Sequence, residues 1–513
     1  MSQYRVGIDL GTTNTVCCTF RDTFEFIKIK SSYILPSVVM YKNGEIKVGD
    51  SAKQRAIRNP ENVITSSKTY MGDFSKQWEI DGRVFTPTDV ATEILKEVKR
   101  YAEKYFQTDE VIDAVITVPA YFTSSQYDET KKAAEMAGFR VLRLVAEPIA
   151  AAIAYGLDEK VNSIFVVDIG GGTFDVSLLK ETKNPDGSVD YETIACDGDG
   201  KLGGDDFDQV IVNLCYSKIR REYGIDLSNL SSSGLNSEEF SQARQMIRKK
   251  AEMAKIALSD AEETNIVIAN LCSKNNSPVT FNYTLSRDEF EKSCTSLFNK
   301  IQRVLQRFVD NQNIDLQKVG KVIFVGGSSN IPHIKAIVRE CLKQEPYADK
   351  DLSKLVAMGA ALCAADKDTL ISAKLVIRDI LSHSLGIEVR GEKIAHEFAP
   401  ILRKNEKYPI SRTKEFYTVN DYQESATIKV YEGESRDISE NFFYGEFTLD
   451  NIKQGLSGVP IQVNFEINED RRALIDDPGS RGRGFRIVAL SHIHDTVFSG
   501  PVIKAVPFHP GTF

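Results

Sequence analysis

The stretch from Ser163 to Leu179 constrains this chain more than any other. Ile164-Phe165-Val166-Val167 is an apolar run with strand composition. It ends at Asp168, breaks into Gly170-Gly171-Gly172, and resumes through Thr173 and Asp175 with alternating Phe174, Val176 and Leu178. Strand, tight Gly turn and strand predict a hairpin whose tip exposes backbone N–H groups. Glycines allow close approach of a phosphate, and successive amides form an anion-binding nest. A carboxylate at the strand end and a hydroxyl in the turn suit a phosphate–magnesium site. Taken alone, the motif leaves an ordinary Gly-rich hairpin equally open. The N-terminus repeats the pattern as Val6-Gly7-Ile8-Asp9-Leu10-Gly11-Thr12-Thr13-Asn14-Thr15-Val16. Two such hairpins point to internal duplication, with two lobes able to clamp one polyphosphate.

A chain of 513 residues exceeds one core, so two or more domains are expected. Net charge −8 argues against nucleic acid or an anionic membrane as main partner. The eight cysteines show no metal-ligand spacing and read as buried thiols of a reducing compartment; adjacent Cys17 and Cys18 face opposite sides of a strand. The first strand begins near Tyr4, leaving no room for a signal peptide, and no apolar run reaches the roughly 18 residues of a membrane span. The expectation is a cytoplasmic protein.

Along the chain, residues 1–50 read as short strands with turns at Asn43-Gly44 and Gly49. Residues 88–106 have helical periodicity, 111–118 read as a buried strand stopped by Pro119, and Thr123 offers an N-cap to a helix ending before Gly138. A strand at 141–145 and a helix at 147–155 follow, giving α/β layers. Residues 205–260 read as helical around a polar loop at 228–237. Lys321 to Val325, then Gly326-Gly327-Ser328-Ser329-Asn330, is a strand and a third loop able to meet a nucleotide. Near residue 374 the composition changes; Leu375-Val376-Ile377 is a short apolar bridge, and from Leu385 short alternating strands predict a small all-β domain.

Five motifs together resemble the seventy-kilodalton heat-shock chaperone family in its bacterial form. They are Ile8 to Asn14 (Ile-Asp-Leu-Gly-Thr-Thr-Asn), Val118 to Phe122 (Val-Pro-Ala-Tyr-Phe), Ala146 to Leu157, Asp168 to Asp175, and Leu202 to Asp208 (Leu-Gly-Gly-Asp-Asp-Phe-Asp). The resemblance covers about residues 4–470 and implies an α/β two-lobed actin-like ATPase domain over 1–374, a linker at 375–380, and a β-sandwich peptide-binding domain over 381–470, incomplete at its end. It implies hydrolysis of ATP to ADP with Mg²⁺, coupled to binding of extended apolar peptides, with a J-domain co-chaperone and a nucleotide exchange factor as partners.

Phosphoryl transfer to water needs positioning and charge neutralisation above all. Asp9 and Asp168, ending the two facing strands, could hold the water shell of Mg²⁺. The amides of Gly11, Thr12 and Thr13 and of Gly170, Gly171, Gly172 and Thr173 could bind phosphates. By resemblance, Lys68 is the active-site lysine, Glu147 and Asp175 orient the attacking water, and Thr173 matches a threonine that relatives can phosphorylate. Taken alone, Lys68 reads as a solvated lysine and Glu147 as an acid suited to a helix N-terminus. Glu252, Lys255 and Ser259 share one helix face; by resemblance they bind the adenosine, and Gly326, Gly327 and Ser328 line its loop. Asn330 stands where the family usually has an arginine stacked on adenine, so weaker adenine affinity is expected.

In the β domain, Phe398, Val419 and Ala426 align with the walls of the family's peptide cleft; for Ala426 a plain core role is equally open. Pro119 matches the family's switch proline, but Tyr127 replaces its partner arginine, and Arg378 stands at an apolar linker position. From Asp470 the pattern departs: 471–513 carry about +3, and neither the family's last strands nor its lid helix is recognisable. A disordered tail, irregular strands and a shifted reading frame all remain open, and impaired peptide binding is expected. The rival readings are a sugar kinase, which needs a sugar pocket and no peptide-binding domain, and an actin-like filament former, which lacks the linker.

Overall fold

Both Asp–Gly segments form hairpins, and each stands in a sheet of the same plan. The structure is a computed structural model describing residues 4–156, 163–274, 277–347, 352–365, 375–391, 395–452, 455–467 and 486–490. Strand Arg5–Leu10 pairs antiparallel with Asn14–Phe20 and parallel with Asp113–Val118. Strand Ser163–Ile169 pairs antiparallel with Phe174–Lys183 and parallel with Lys321–Val325. Ile169 lies opposite Phe174, so residues 170–173 make the turn, closed by the Gly170 N–H donating to the Thr173 carbonyl at 3.0 Å.

The first sheet continues to Arg140–Ala146 on one side and Phe24–Phe26 on the other; the second runs on through Val189–Asp199 to Leu375–Arg378. Strands Asp113–Val118 and Lys321–Val325 are buried at every residue, as expected for parallel strands covered on both faces. The Ala-rich helix Leu352–Ala364 approaches both halves closely. A Cβ on Gly7 would fall 2.0 Å from the Ala361 backbone nitrogen, and one on Gly359 would fall 1.8 Å from the Ala150 carbonyl oxygen of helix Glu147–Gly156. Helix Pro87–Phe106 begins at a Thr86–Asp89 capping box and buries Val90, Ile94, Leu95 and Val98.

Several details differ from the sequence reading. The strand read from Val111 begins at Asp113, where pairing with Arg5 starts; Val111 is exposed. The polar loop at 228–237 contains a short helix, Leu230–Ser233, capped by Asn229. Sequence analysis assigns nothing to 261–320, which forms the hairpin of Glu263–Lys274 with Ser277–Ser286 and the helix Thr295–Asn311. The apolar bridge Leu375–Ile377 belongs to an edge strand, with Leu375 and Ile377 packed on the core and Val376 and Arg378 outward.

The described residues fall into two units: 4–121 with 129–377, and 122–128 with 378–490. The second unit is built on an antiparallel sheet in the order Glu397–Leu402, Leu385–Val389, Ser425–Glu432, Phe442–Asp450, and another in the order Ile410–Tyr417, Pro460–Ile467, Arg486–Leu490. Ile387, Ile428 and Val430 of the first sheet and Ile461, Val463, Phe465 and Ile467 of the other share one core. Of the readings left open for the tail, strand Arg486–Leu490 fits the one with further strands; residues 471–485 and 491–513 lie outside the described residues. All eight cysteines are free; Cys17 and Cys18 pack into different clusters, as alternation along a strand requires. Among the described residues no helix is long and apolar enough to cross a membrane.

Candidate functional site: a carboxylate cluster beneath two phosphate-type loops

The two hairpin tips face each other. A Cβ on Gly171 would meet the Thr13 hydroxyl at 2.0 Å, and one on Gly172 would meet the Thr12 methyl at 3.2 Å and the Thr69 methyl at 2.3 Å. A side chain at either position would force the facing threonine side chains to move. The first loop is braced by Ser37, whose hydroxyl donates to the Gly11 carbonyl at 2.8 Å and whose N–H donates to the Thr13 carbonyl at 2.8 Å. The second is tied down at Gly170, whose carbonyl accepts from the Gly204 N–H at 3.0 Å and the Ser328 hydroxyl at 2.9 Å. Gly326, at φ +80°, brings the third loop against the end of strand Ser163–Ile169; its Cβ would lie 2.7 Å from Asp168 Oδ1.

Beneath the loops three buried carboxylates, the half-buried Asp9 and one lysine converge. Lys68 Nζ donates to Glu147 Oε1 at 2.8 Å, and both residues are buried. Thr117 donates its hydroxyl to Asp9 Oδ1 at 3.3 Å, and the Tyr121 N–H donates to Asp175 Oδ1 at 3.0 Å. Burial, then Glu147, pushes Asp9 up to about 7, with Lys68 and Thr117 pulling the other way. Asp175 is likewise pushed up to about 7 by burial and Glu147, with the Tyr121 amide opposing. Asp168 stands well above the usual carboxylate range because of burial and the charges of Glu147, Asp175 and Asp9. Thr173 is buried at the turn of the same hairpin. One lysine among four carboxylates leaves the site short of positive charge. Among the described residues no three His, Cys, Asp or Glu side chains converge as a direct ligand set.

Glu252, Lys255 and Ser259 share helix Ser237–Asp260, as the spacing predicts. Lys255 Nζ donates to the Gly204 carbonyl and to Asp208 Oδ2, each at 3.0 Å; Glu252 Oε1 accepts from Lys53 Nζ at 2.9 Å; the Ser259 hydroxyl reaches the Lys255 carbonyl at 3.5 Å. Ser328 is buried beside Gly204, while Gly327 and Asn330 are exposed, Asn330 donating its amide to the Gly327 carbonyl at 3.2 Å. A cleft lined by Thr12, Thr13, Lys53, Asp205, Asp208 and Glu252 opens beside these groups. Thr117, Tyr121, Ser37, Lys53 and Asp208 have no role in the sequence reading. Asp208 closes the Leu202–Asp208 motif, the one signal that could have found it.

In the second unit the three expected cleft residues sit in different settings. Phe398 is buried on strand Glu397–Leu402. Ala426, on strand Ser425–Glu432 opposite Leu449, packs against the core. Val419 is 52% exposed in the loop after Ile410–Tyr417, close in sequence to exposed Tyr417 and Tyr422. The Tyr422 N–H donates to the Gly455 carbonyl at 2.7 Å and the Gly458 N–H to the Thr418 carbonyl at 2.9 Å, so this loop is joined to the one carrying exposed Leu456.

Comparison with known proteins agrees with this geometry. The Hsp70 protein family profile matches residues 5–472. The chaperone protein DnaK of Thermotoga neapolitana is 38% identical over 479 residues, covering 91% of this chain and 77% of that protein. The chaperone protein DnaK of Thermotoga maritima is 38% identical with the same coverage, and that of Thermosipho africanus is 36% identical over 478 residues, 91% of this chain and 76% of its own length. The chain belongs to the Hsp70 family: it is an ATP-dependent chaperone of that type, an ATPase that binds ATP and ADP in a two-lobed actin-like domain followed by a β-domain, and it acts on polypeptides with co-chaperones.

Proposed function

We propose that the cluster beneath the hairpins hydrolyses the terminal phosphate of ATP, with roles distributed as follows. The amides of Gly11, Thr12 and Thr13 and of Gly170, Gly171, Gly172 and Thr173 hold the phosphates, as successive backbone N–H groups do in anion-binding nests. Lys68 neutralises charge on the transferring phosphoryl group, and Glu147, its ion-pair partner, and Asp175 orient the attacking water. Water adds to the terminal phosphorus, the bond to the bridging oxygen breaks, and ADP and phosphate leave. Asp9 and Asp168 fit Mg²⁺, which takes few carboxylates and keeps several waters. Asp9 raises the proton affinity of Asp168, so the two carboxylates lie close enough for a divalent cation to relieve their repulsion. When bound, the ion would neutralise phosphate charge. Glu252, Lys255 and Ser259 take the adenosine, beside Gly326, Gly327 and Ser328.

The observation that carries this reading is the approach of Gly171 and Gly172 to Thr13 and Thr12 directly above the carboxylates. Lys68→Ala should keep ADP binding within a fewfold and lower turnover by about a hundredfold or more. Undiminished single-turnover hydrolysis in that variant would remove Lys68 from the reaction.

The second unit binds extended apolar peptide segments, which pair through the backbone and set alternate side chains in pockets. The exposed apolar group of Tyr417, Val419, Tyr422 and Leu456 supports a docking surface at these joined loops. Phe398 and Ala426 act as supporting walls. A J-domain co-chaperone and a nucleotide exchange factor are the partners, and the cytoplasm is the setting. ATPase stimulation by an apolar peptide tests the coupling.

A further inference from the structure

Asp208 has no part in the roles above, and its surroundings give it one. It lies in the first turns of helix Gly204–Tyr223 and is only 7% exposed. Its Oδ2 accepts from Lys255 Nζ at 3.0 Å, while its Oδ1, also buried, has no hydrogen-bond partner among the described residues. Lys255 gives a second N–H to the Gly204 carbonyl at 3.0 Å. An ammonium has three N–H donors. Two are committed inside the protein, and among the described residues the third makes no hydrogen bond. This ammonium stands beside the cleft that Asp208 and Glu252 line with Thr12 and Thr13.

We propose that Asp208 is a positioning residue for nucleoside recognition, holding Lys255 so that its third N–H meets a sugar hydroxyl of the bound nucleotide. The inference rests on the reading that Lys255 takes the adenosine. The sugar is the matching group because Lys255 and Glu252, one turn apart on a single helix, offer a donor and an acceptor to adjacent hydroxyls, each of which donates and accepts. A lysine on a four-carbon stem is otherwise mobile, and fixing it beforehand removes an ordering cost from binding. The carboxylate suits this task better than a neutral acceptor, because it adds the attraction of opposite charges in a buried setting to the hydrogen bond. Burial pushes the Asp208 carboxyl up to about 6, opposed by Lys255 of the facing helix; Asp205 on its own helix and Glu252 on the facing one push it further up. The charged form that anchors Lys255 is therefore held at neutral pH and lost just below it.

The test compares binding of ADP and of 2′,3′-dideoxy-ADP, which lacks both hydroxyls, by calorimetry at pH 7.5. Wild type, Asp208→Asn, Lys255→Ala and the double variant are compared. Asp208→Asn should weaken ADP by about tenfold while leaving the dideoxy analogue nearly unchanged. The double variant should bind no worse than Lys255→Ala, and with ATP the loss should fall on KM rather than on kcat. An Asp208→Asn protein that keeps the wild-type preference for ADP overturns the proposal. Lys255→Ala separates the two readings. If it leaves ADP affinity intact, the adenosine assignment fails; if it weakens ADP while Asp208→Asn does not, only the role of Asp208 fails. A pH series on the wild type needs no variant: the preference for ADP over the analogue should shrink as pH falls through about 6, and a constant preference overturns the proposal.

Discussion

Asp175 shows how the site is built against its own stability. Its carboxyl moves from an ordinary 3.8 up to about 7, so the folded protein favours the neutral form. That contribution to stability is fully present below 3.8 and is lost as pH rises through 7. The nucleotide-free protein should therefore melt at a lower temperature at pH 8 than at pH 6. Asp175→Asn, which keeps an oxygen for the Tyr121 N–H but carries no charge, should flatten that difference while depressing turnover. Asp9 titrates in the same range, so the slope should shrink rather than vanish. An equal pH slope in scanning calorimetry of both proteins would refute the account. At Asn330 the expected change is in affinity. Asn330→Arg should tighten ADP by up to about tenfold, and an unchanged dissociation constant would count against it. Asp9, Asp168 and the glycines were legible because the chemistry is contiguous in sequence. Lys68 and Glu147 were legible only through resemblance, since a lone lysine or a helix-start acid says nothing by itself. Thr117, Lys53 and Asp208 were not, because each gains its role from a partner more than forty residues away.

The paired sheets were legible where alternation and turn chemistry coincide, as at Ser163–Ile169 and Phe174–Lys183. The hairpin Glu263–Lys274 with Ser277–Ser286 was missed although its Ile266 and Ile268 alternate with polar neighbours and exposed Val267, because no Gly turn marks its reversal. The packing role of the Ala-rich helix Leu352–Ala364 depends on backbones that sequence does not place side by side. Its tolerance should be low at Gly359, where a methyl would press on the Ala150 carbonyl at 1.8 Å and backbone must move. Gly359→Ala should cost about 3 kcal/mol despite the better helix propensity of alanine. Urea unfolding that finds the variant as stable as wild type would show that the two helices separate easily.

For the chain as a whole, the open question in sequence was the stretch after Asp470. The departure from the family pattern there suggested that the second unit ends with an unpaired strand. Strand Pro460–Ile467 instead lies between Ile410–Tyr417 and Arg486–Leu490, with Gln462 opposite Leu490 and Glu466 opposite Arg486. The unusual tail thus supplies backbone partners for one edge of the sheet that carries Ile461, Val463, Phe465 and Ile467 into the core. This locates a consequence that sequence comparison alone would place nowhere. A chain ended after residue 470 keeps every residue of the catalytic cluster but leaves the N–H and C=O groups along that edge unpaired. Exposed edges of this kind recruit other chains. The shortened protein should hydrolyse ATP at close to the full-length basal rate yet form soluble oligomers or aggregate, as read by light scattering, and its binding of a labelled apolar peptide should weaken in anisotropy measurements. Charged substitutions on the outward-facing positions Gln462 and Asn464 should restore its solubility without restoring peptide affinity. A shortened chain that stays monomeric and binds peptide as tightly as the full chain would mean that Arg486–Leu490 contributes nothing to the β-domain.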